Sequence, residues 1–124
     1  MVEIDTVFPS IKIDGKELFL TPIQFKLFTF LYINRNKRCM RDVILDNVWG
    51  VNKFVQDRAI DVQIGYIRKR LVGTSLEGKI EGIRGFGYRL NYDEAEAIDV
   101  GDNEHMDIVA VFSRPQSVNL EVIH

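Results

Sequence analysis

Residues 57–90 constrain the fold more than any other stretch: DRAIDVQIGYIRKRL, a short connector, then KIEGIRGFGYRL. Ile60, Ile64, Ile67 and Leu71 recur at the i, i+4, i+7, i+11 spacing of a single buried helical stripe. Arg58, Val62, Gly65 and Lys69 repeat that spacing on the opposite face, flanked by Asp61, Tyr66 and Arg68. The glycine-rich segment that follows reads as a β-hairpin with its tip at Gly85-Phe86-Gly87. An amphipathic helix beside a basic hairpin has few uses. Its width suits a DNA major groove, about 12 Å across, with the hairpin reaching the next groove. The bland alternative is a surface helix whose charges are simply solvated.

The upstream residues supply a core for that unit. SIKIDGKELFL sets Asp14-Gly15 between two short alternating runs, which is a hairpin signal within an extended region 2–20. Thr21-Pro22-Ile23-Gln24 combines an N-cap threonine, a proline at the first helical position and a glutamine three residues after the cap. The helix so started carries Phe25, Leu27, Phe28, Phe30, Leu31 and Ile33, apolar on most sides, and is expected to be the central buried element. NRNKR (34–38) reads as a connector, and RDVILDNVWG as a short helix with Ile44, Leu45 and Val48 inward and Gly50 as its stop. Asp57 is expected to cap the 58–71 helix, and Gly73 to end it.

Net charge over the 124 residues is −2, which argues against a nucleic-acid partner until its distribution is seen. Residues 1–90 hold 15 Lys/Arg against 10 Asp/Glu, whereas residues 91–124 hold 1 against 8. A mildly basic domain is therefore masked by an acidic appendage. Within it, MDIVAVF and SVNLEVI alternate like strands and are expected to form a terminal hairpin. The division expected is a domain over 1–91 and an acidic C-terminal extension over 92–124.

Other classes find little support. Cys39 is the single cysteine, so a disulfide framework is excluded and a cytoplasmic location is expected. His105 and His124 lack ligand spacing with it, so neither a metal nor a cofactor is expected. No apolar run approaches the ~20 residues of a membrane span, and MVEIDTV is unlike a signal peptide. The carboxylates are scattered, and the GFG tip lacks the strand-to-helix setting of a nucleotide loop, which disfavours an enzyme.

Four blocks in order, LTPIQFKLFTFL, VWG, DRAIDVQIGYIRKRL and IRGFGYRL, resemble the DNA-binding effector domain of OmpR/PhoB-type response regulators. The resemblance covers roughly residues 10–91. It implies an α+β winged helix-turn-helix: an N-terminal antiparallel sheet, three helices and a C-terminal β-hairpin wing, here with an extra strand-like extension. Helix 58–71 would be the recognition helix and 79–90 the wing. By the same resemblance Arg58 and Arg68 fall at phosphate-contacting positions, Val62, Gln63 and Tyr66 at base-reading positions, and Arg84 where the wing arginine enters the minor groove. Lys69 is a further candidate DNA contact from its place on the exposed face. Trp49, Gly50, Val55, Gln56 and Asp57 match the loop that activators of the family present to RNA polymerase.

Two departures stand out. Gly65-Tyr66 replaces the basic pair usual in the middle of the recognition helix, so a different DNA sequence, or a weaker reading, is expected. The receiver domain usual before the effector domain is missing from this sequence, which leaves an excised fragment or a free-standing regulator, and the acidic extension, foreign to the family pattern, favours the second. The expected partner is double-stranded DNA, bound as a homodimer on repeated half-sites, with RNA polymerase as a second partner. The competing reading is a protein-interaction module that binds RNA polymerase or another regulator. Arg58, Arg68, Lys69 and Arg84 favour DNA; Gly65, Tyr66 and the acidic extension favour protein.

Overall fold

The computed structural model describes residues 1–50 and 57–93. Three short strands, β1 (Val2–Asp5), β2 (Ser10–Ile13) and β3 (Lys16–Leu18), form an antiparallel sheet in that order. Alternation places Val2, Ile4, Ile11, Ile13 and Leu18 on the buried face. The β2–β3 turn is the expected Asp14-Gly15 pair, with φ of 54° and 84°. Two positive φ values in a two-residue loop match the right-handed twist of the flanking strands.

Helix α1 (Pro22–Ile33) starts as its sequence demands. Gln24 N–H donates to Thr21 Oγ1 at 3.3 Å, and Thr21 N–H donates to Gln24 Oε1 at 3.1 Å, closing a capping box. Leu27, Phe28, Phe30 and Leu31 are fully buried, while Phe25 and Ile33 are half-buried at the margin. Helix α3 (Arg58–Arg70) buries Ile60, Ile64, Ile67 and, at its C-cap, Leu71, so the stripe read from spacing is the stripe that packs. Gly73, just beyond, has φ +88° and turns the chain.

A second sheet has the order β4 (Cys39–Met40), β6 (Gly87–Leu90), β5 (Ile80–Ile83). Strands β5 and β6 are the expected wing. Strand β4 was not anticipated, because its two residues become a strand only by pairing with β6, Cys39 opposite Tyr88 and Met40 opposite Gly87. Gly87 accordingly belongs to β6 and not to the hairpin tip. A Cβ there would lie 1.9 Å from the Cys39 carbonyl oxygen, so only glycine permits this pairing.

Three local expectations need correction. Residues 41–49 are not one regular helix: α2 (Arg41–Ile44) passes into a π-helical turn, Leu45–Trp49, closed by Gly50 N–H donating to Leu45 O at 3.0 Å. Ile44 and Val48 are buried there, but Leu45 is only half-buried. Asp57 does not cap α3; its backbone is helical (φ −51°, ψ −33°) and its carboxylate faces Arg41 instead. The expected hairpin of the acidic extension lies outside the described residues, as does most of that extension. Among the described residues no helix is long and apolar enough to cross a membrane.

Candidate nucleic-acid interface

With its apolar stripe turned inward, α3 presents one continuous outer column. Arg58, Val62, Tyr66 and Lys69 lie along it at i, i+4, i+8 and i+11, and all four are exposed. Val62 is 49% and Tyr66 51% exposed, unusual values for a valine and a tyrosine in the middle of a helix. Lys69 Nζ sits 5.9 Å from the Tyr66 ring centroid, a cation–π distance. The last turn carries Arg68, Lys69 and Arg70, cations that complement the negative end of the helix dipole. Gly65 lies beside this column with nothing within 4 Å of the place a Cβ would take, so packing does not require a glycine there.

Two of the candidate contacts are engaged within the fold. Gln63 is half-buried, and its Oε1 accepts from Gln24 Nε2 at 3.0 Å. Gln24 thereby serves both the α1 cap and the recognition helix. Arg68 is exposed, yet its Nε and Nη2 both donate to the Ile80 carbonyl, at 3.3 and 2.8 Å. That bond ties the C-terminal half of α3 to the first wing strand. Arg84 is exposed in the turn between β5 and β6, where a wing tip would meet a neighbouring groove.

Sequence reasoning missed the cluster that holds α3 to the wing at its other end. Tyr88 on β6 donates its hydroxyl to Asp61 Oδ1 at 2.5 Å, and Arg41 Nη2 donates to Asp61 Oδ2 at 3.0 Å. Arg41 also meets Asp57, Nε to Oδ2 at 3.4 Å and Nη2 to the carbonyl at 3.0 Å. Two guanidinium groups approach the Tyr88 ring, Arg41 at 5.9 Å and Arg68 at 5.7 Å from its centroid. The hydrogen bonds from Arg41 and then Tyr88 hold the Asp61 carboxyl below its ordinary pKa. Burial, reinforced by the bond to Asp61, raises the Tyr88 phenol, and the bond to Asp61 raises Arg41. The only sequence signal was an aspartate on the flank of an otherwise basic helix.

Of the polymerase-facing candidates, Trp49 is half-buried against the core and Gly50 turns the chain at φ +99°. Asp57 is exposed and paired with Arg41; Val55 and Gln56 lie outside the described residues. Cys39 is buried, and desolvation pushes its thiol up to about 12, so it stays protonated and unreactive. Among the described residues no group of three His, Cys, Asp or Glu side chains could hold a metal.

Three helices and a two-stranded wing, with the third helix displayed beside that wing, describe a winged helix. A sequence profile described as "Transcriptional regulatory protein, C terminal" matches residues 15–90. The chain belongs to the OmpR/PhoB-type effector family. This is a family of DNA-binding transcription-regulator domains, not of enzymes. The phosphate regulon transcriptional regulatory protein PhoB of Pseudomonas aeruginosa is 34% identical over 88 residues, 71% of this chain and 38% of that protein. The chain thus spans well under half the length of that relative. Among solved structures, the AdeR DNA-binding domain in complex with an intercistronic region aligns at a TM-score of 0.66 with 27% identity, covering 74% of this chain and 95% of that one. The RstA DNA-binding domain of Klebsiella pneumoniae, in complex with the RstA box, aligns at 0.62 with 28% identity, covering 73% and 90%.

Proposed function

We propose that this chain is a transcription regulator that reads double-stranded DNA, with α3 in the major groove and the wing at the flanking minor groove. The observation that carries this reading is the exposed column Arg58, Val62, Tyr66, Lys69, held in fixed relation to Arg84 by the Asp61–Tyr88 and Arg68–Ile80 bonds. Arg58, Lys69 and Arg84 then serve as backbone or groove contacts, with Val62 and Tyr66 facing the bases. Arg68 adds a phosphate contact through the donors that Ile80 leaves over. Gln63 acts mainly by fixing the helix on α1. The AdeR domain in complex with an intercistronic region and the RstA domain in complex with the RstA box support DNA binding by the same fold here.

Three or four neutralised phosphates give a slope of log affinity against log salt of about −2.7 to −3.6, at about 0.9 per contact. Titration of a random duplex library at several salt concentrations measures it. No binding to any duplex at low salt overturns the reading. The proposal includes action in the cytoplasm and pairing of two copies on repeated half-sites. Residues 1–91 form its DNA-reading unit, and the acidic residues of 92–124 lower non-specific binding by charge repulsion.

One observation favours protein contact as a second reading. The β1–β2 turn exposes Val7 and Phe8, and the strand register brings Phe19 to the same end of the sheet. Contact with RNA polymerase through Trp49, Gly50, Val55, Gln56 and Asp57 belongs to this reading. It predicts a complex with polymerase that forms without DNA.

A further inference from the structure

The middle of the recognition face, between Asp61 and Tyr66, lacks the groups that read guanine. Bidentate recognition of guanine needs two donors aimed together at O6 and N7, and recognition of adenine by glutamine needs one donor and one acceptor on the same amide. Between Asp61 and Tyr66 no such pair stands free, and Arg68, beyond them, is tied to the wing. Arg68 directs Nε and Nη2 at the Ile80 carbonyl. The Gln63 Oε1 is held by Gln24, whose own Oε1 is committed to the α1 cap. Gly65 contributes no side chain, although open space would accept one. The apolar side chains that stand outward between Arg58 and Lys69 are the valine–tyrosine pair, one helical turn apart and each about half exposed, beside an Asp61 whose two oxygens are taken by Tyr88 and Arg41.

We infer that Val62 and Tyr66 form an apolar strip that reads thymine methyl groups, so that the preferred site is thymine-bearing beneath the middle of α3 and indifferent to guanine there. The inference rests on the DNA-reading proposal and specifies its code. The C5 methyl of thymine is the one apolar feature on the major-groove edge, and aliphatic or aromatic carbon is its natural contact. Gly65 assists by omission. With no side chain at 65, the helix approaches the groove floor closely enough for a valine methyl and a tyrosine ring to touch a methyl group.

The test begins with selection of a preferred duplex from a random library by the full 124-residue chain at low salt. Each thymine is then replaced singly by deoxyuridine, which deletes the methyl and leaves every hydrogen-bonding group. The expected result is a loss of about fourfold at one or two adjacent positions, the worth of one buried methyl. Placing 5-methylcytosine in a cytosine-substituted site should restore part of that loss. Val62→Ala should abolish the thymine–deoxyuridine difference at one position and Tyr66→Ala at its neighbour, while Tyr66→Phe retains it. Both side chains are exposed, so the variants should fold as the parent does, which thermal unfolding checks. A selected site centred on guanine, or one insensitive to methyl removal, overturns this inference and leaves DNA reading intact. Failure to retain any duplex overturns both.

Discussion

Tyr88→Phe isolates the bond that fixes the wing to the recognition helix. The substitution deletes the hydroxyl that donates to Asp61 and keeps the ring beside Arg41 and Arg68. A hydrogen bond to a charged group contributes roughly 1.5–3 kcal/mol net. The Asp61 side chain is 47% exposed and retains its Arg41 partner, so water and Arg41 recover part of that. The expected loss is therefore about 1–1.5 kcal/mol. For a domain of this size that corresponds to a fall in Tm of very roughly 4–12 °C, at ~4–8 °C per kcal/mol. Urea unfolding of Tyr88→Phe, Asp61→Ala and the double variant gives the coupling directly. A coupling energy of about 0.5 kcal/mol or more is expected, and additivity within about 0.3 kcal/mol would refute a direct bond. If the bond also sets the angle between α3 and the wing, Tyr88→Phe should weaken duplex binding while leaving the salt slope unchanged.

The same cluster sets a pH window. Asp61 is depressed below 3.8, so its contribution is present above the ordinary carboxylate range and is lost as pH falls through its folded pKa. Tyr88 is raised above 10.0, so its contribution is full below that value and is lost as pH rises through its folded pKa. The urea midpoint should therefore be flat between about pH 5 and 9 and fall on both sides, and Tyr88→Phe should remove the alkaline fall. Gly87→Ala places a Cβ 1.9 Å from the Cys39 oxygen and must displace strand β4; a cost of about 3 kcal/mol or more is expected, and wild-type stability would contradict the observed pairing. Gly65→Ala meets nothing and should stabilise α3 by up to ~1 kcal/mol; weaker duplex binding by the stabler variant is the signature of close approach. Trp49→Ala, at a half-buried ring, should cost about 1.5–3 kcal/mol in urea unfolding, less than a fully buried indole and more than a surface one.

Features written into a few adjacent residues were legible in the sequence, and those that depend on distant partners were not. The capping box at Thr21–Gln24, the Asp14-Gly15 turn and the Ile60–Leu71 stripe each draw on neighbours within about three helical turns. The spacing alone therefore specified them. Strand β4 is two residues long and exists through Cys39 facing Tyr88, a pairing no local pattern announces. Asp57 had the composition of an N-cap but faces a stronger partner in Arg41. Gln63 fell on a base-reading position, yet a glutamine 39 residues upstream holds its amide oxygen. Spacing alone thus put Arg58, Val62, Tyr66 and Lys69 on one exposed face of α3, while the partners that engage Gln63 and Arg68 were not legible.

That division of roles also resolves a difficulty on the face itself. Asp57 and Asp61 lie at the start and in the first turn of α3, and two carboxylates there would repel a phosphate backbone. The positive end of the helix dipole tolerates them energetically but does not hide their charge. Arg41 does more: one guanidinium meets both carboxylates, at 3.4 and 3.0 Å, and Tyr88 occupies the remaining oxygen of Asp61. The acidic pair thereby becomes part of the scaffold that aims the helix. Outside this cluster the face presents the cations Arg58, Arg68, Lys69 and Arg84, and the uncharged surface between them comes from Val62 and Tyr66. Cations at the ends of a helix and at a wing tip suit a backbone whose charge is the same for every sequence, whereas an apolar middle suits the one part of the groove that differs between sequences. On the proposed reading of this face, position and specificity are carried by different residues.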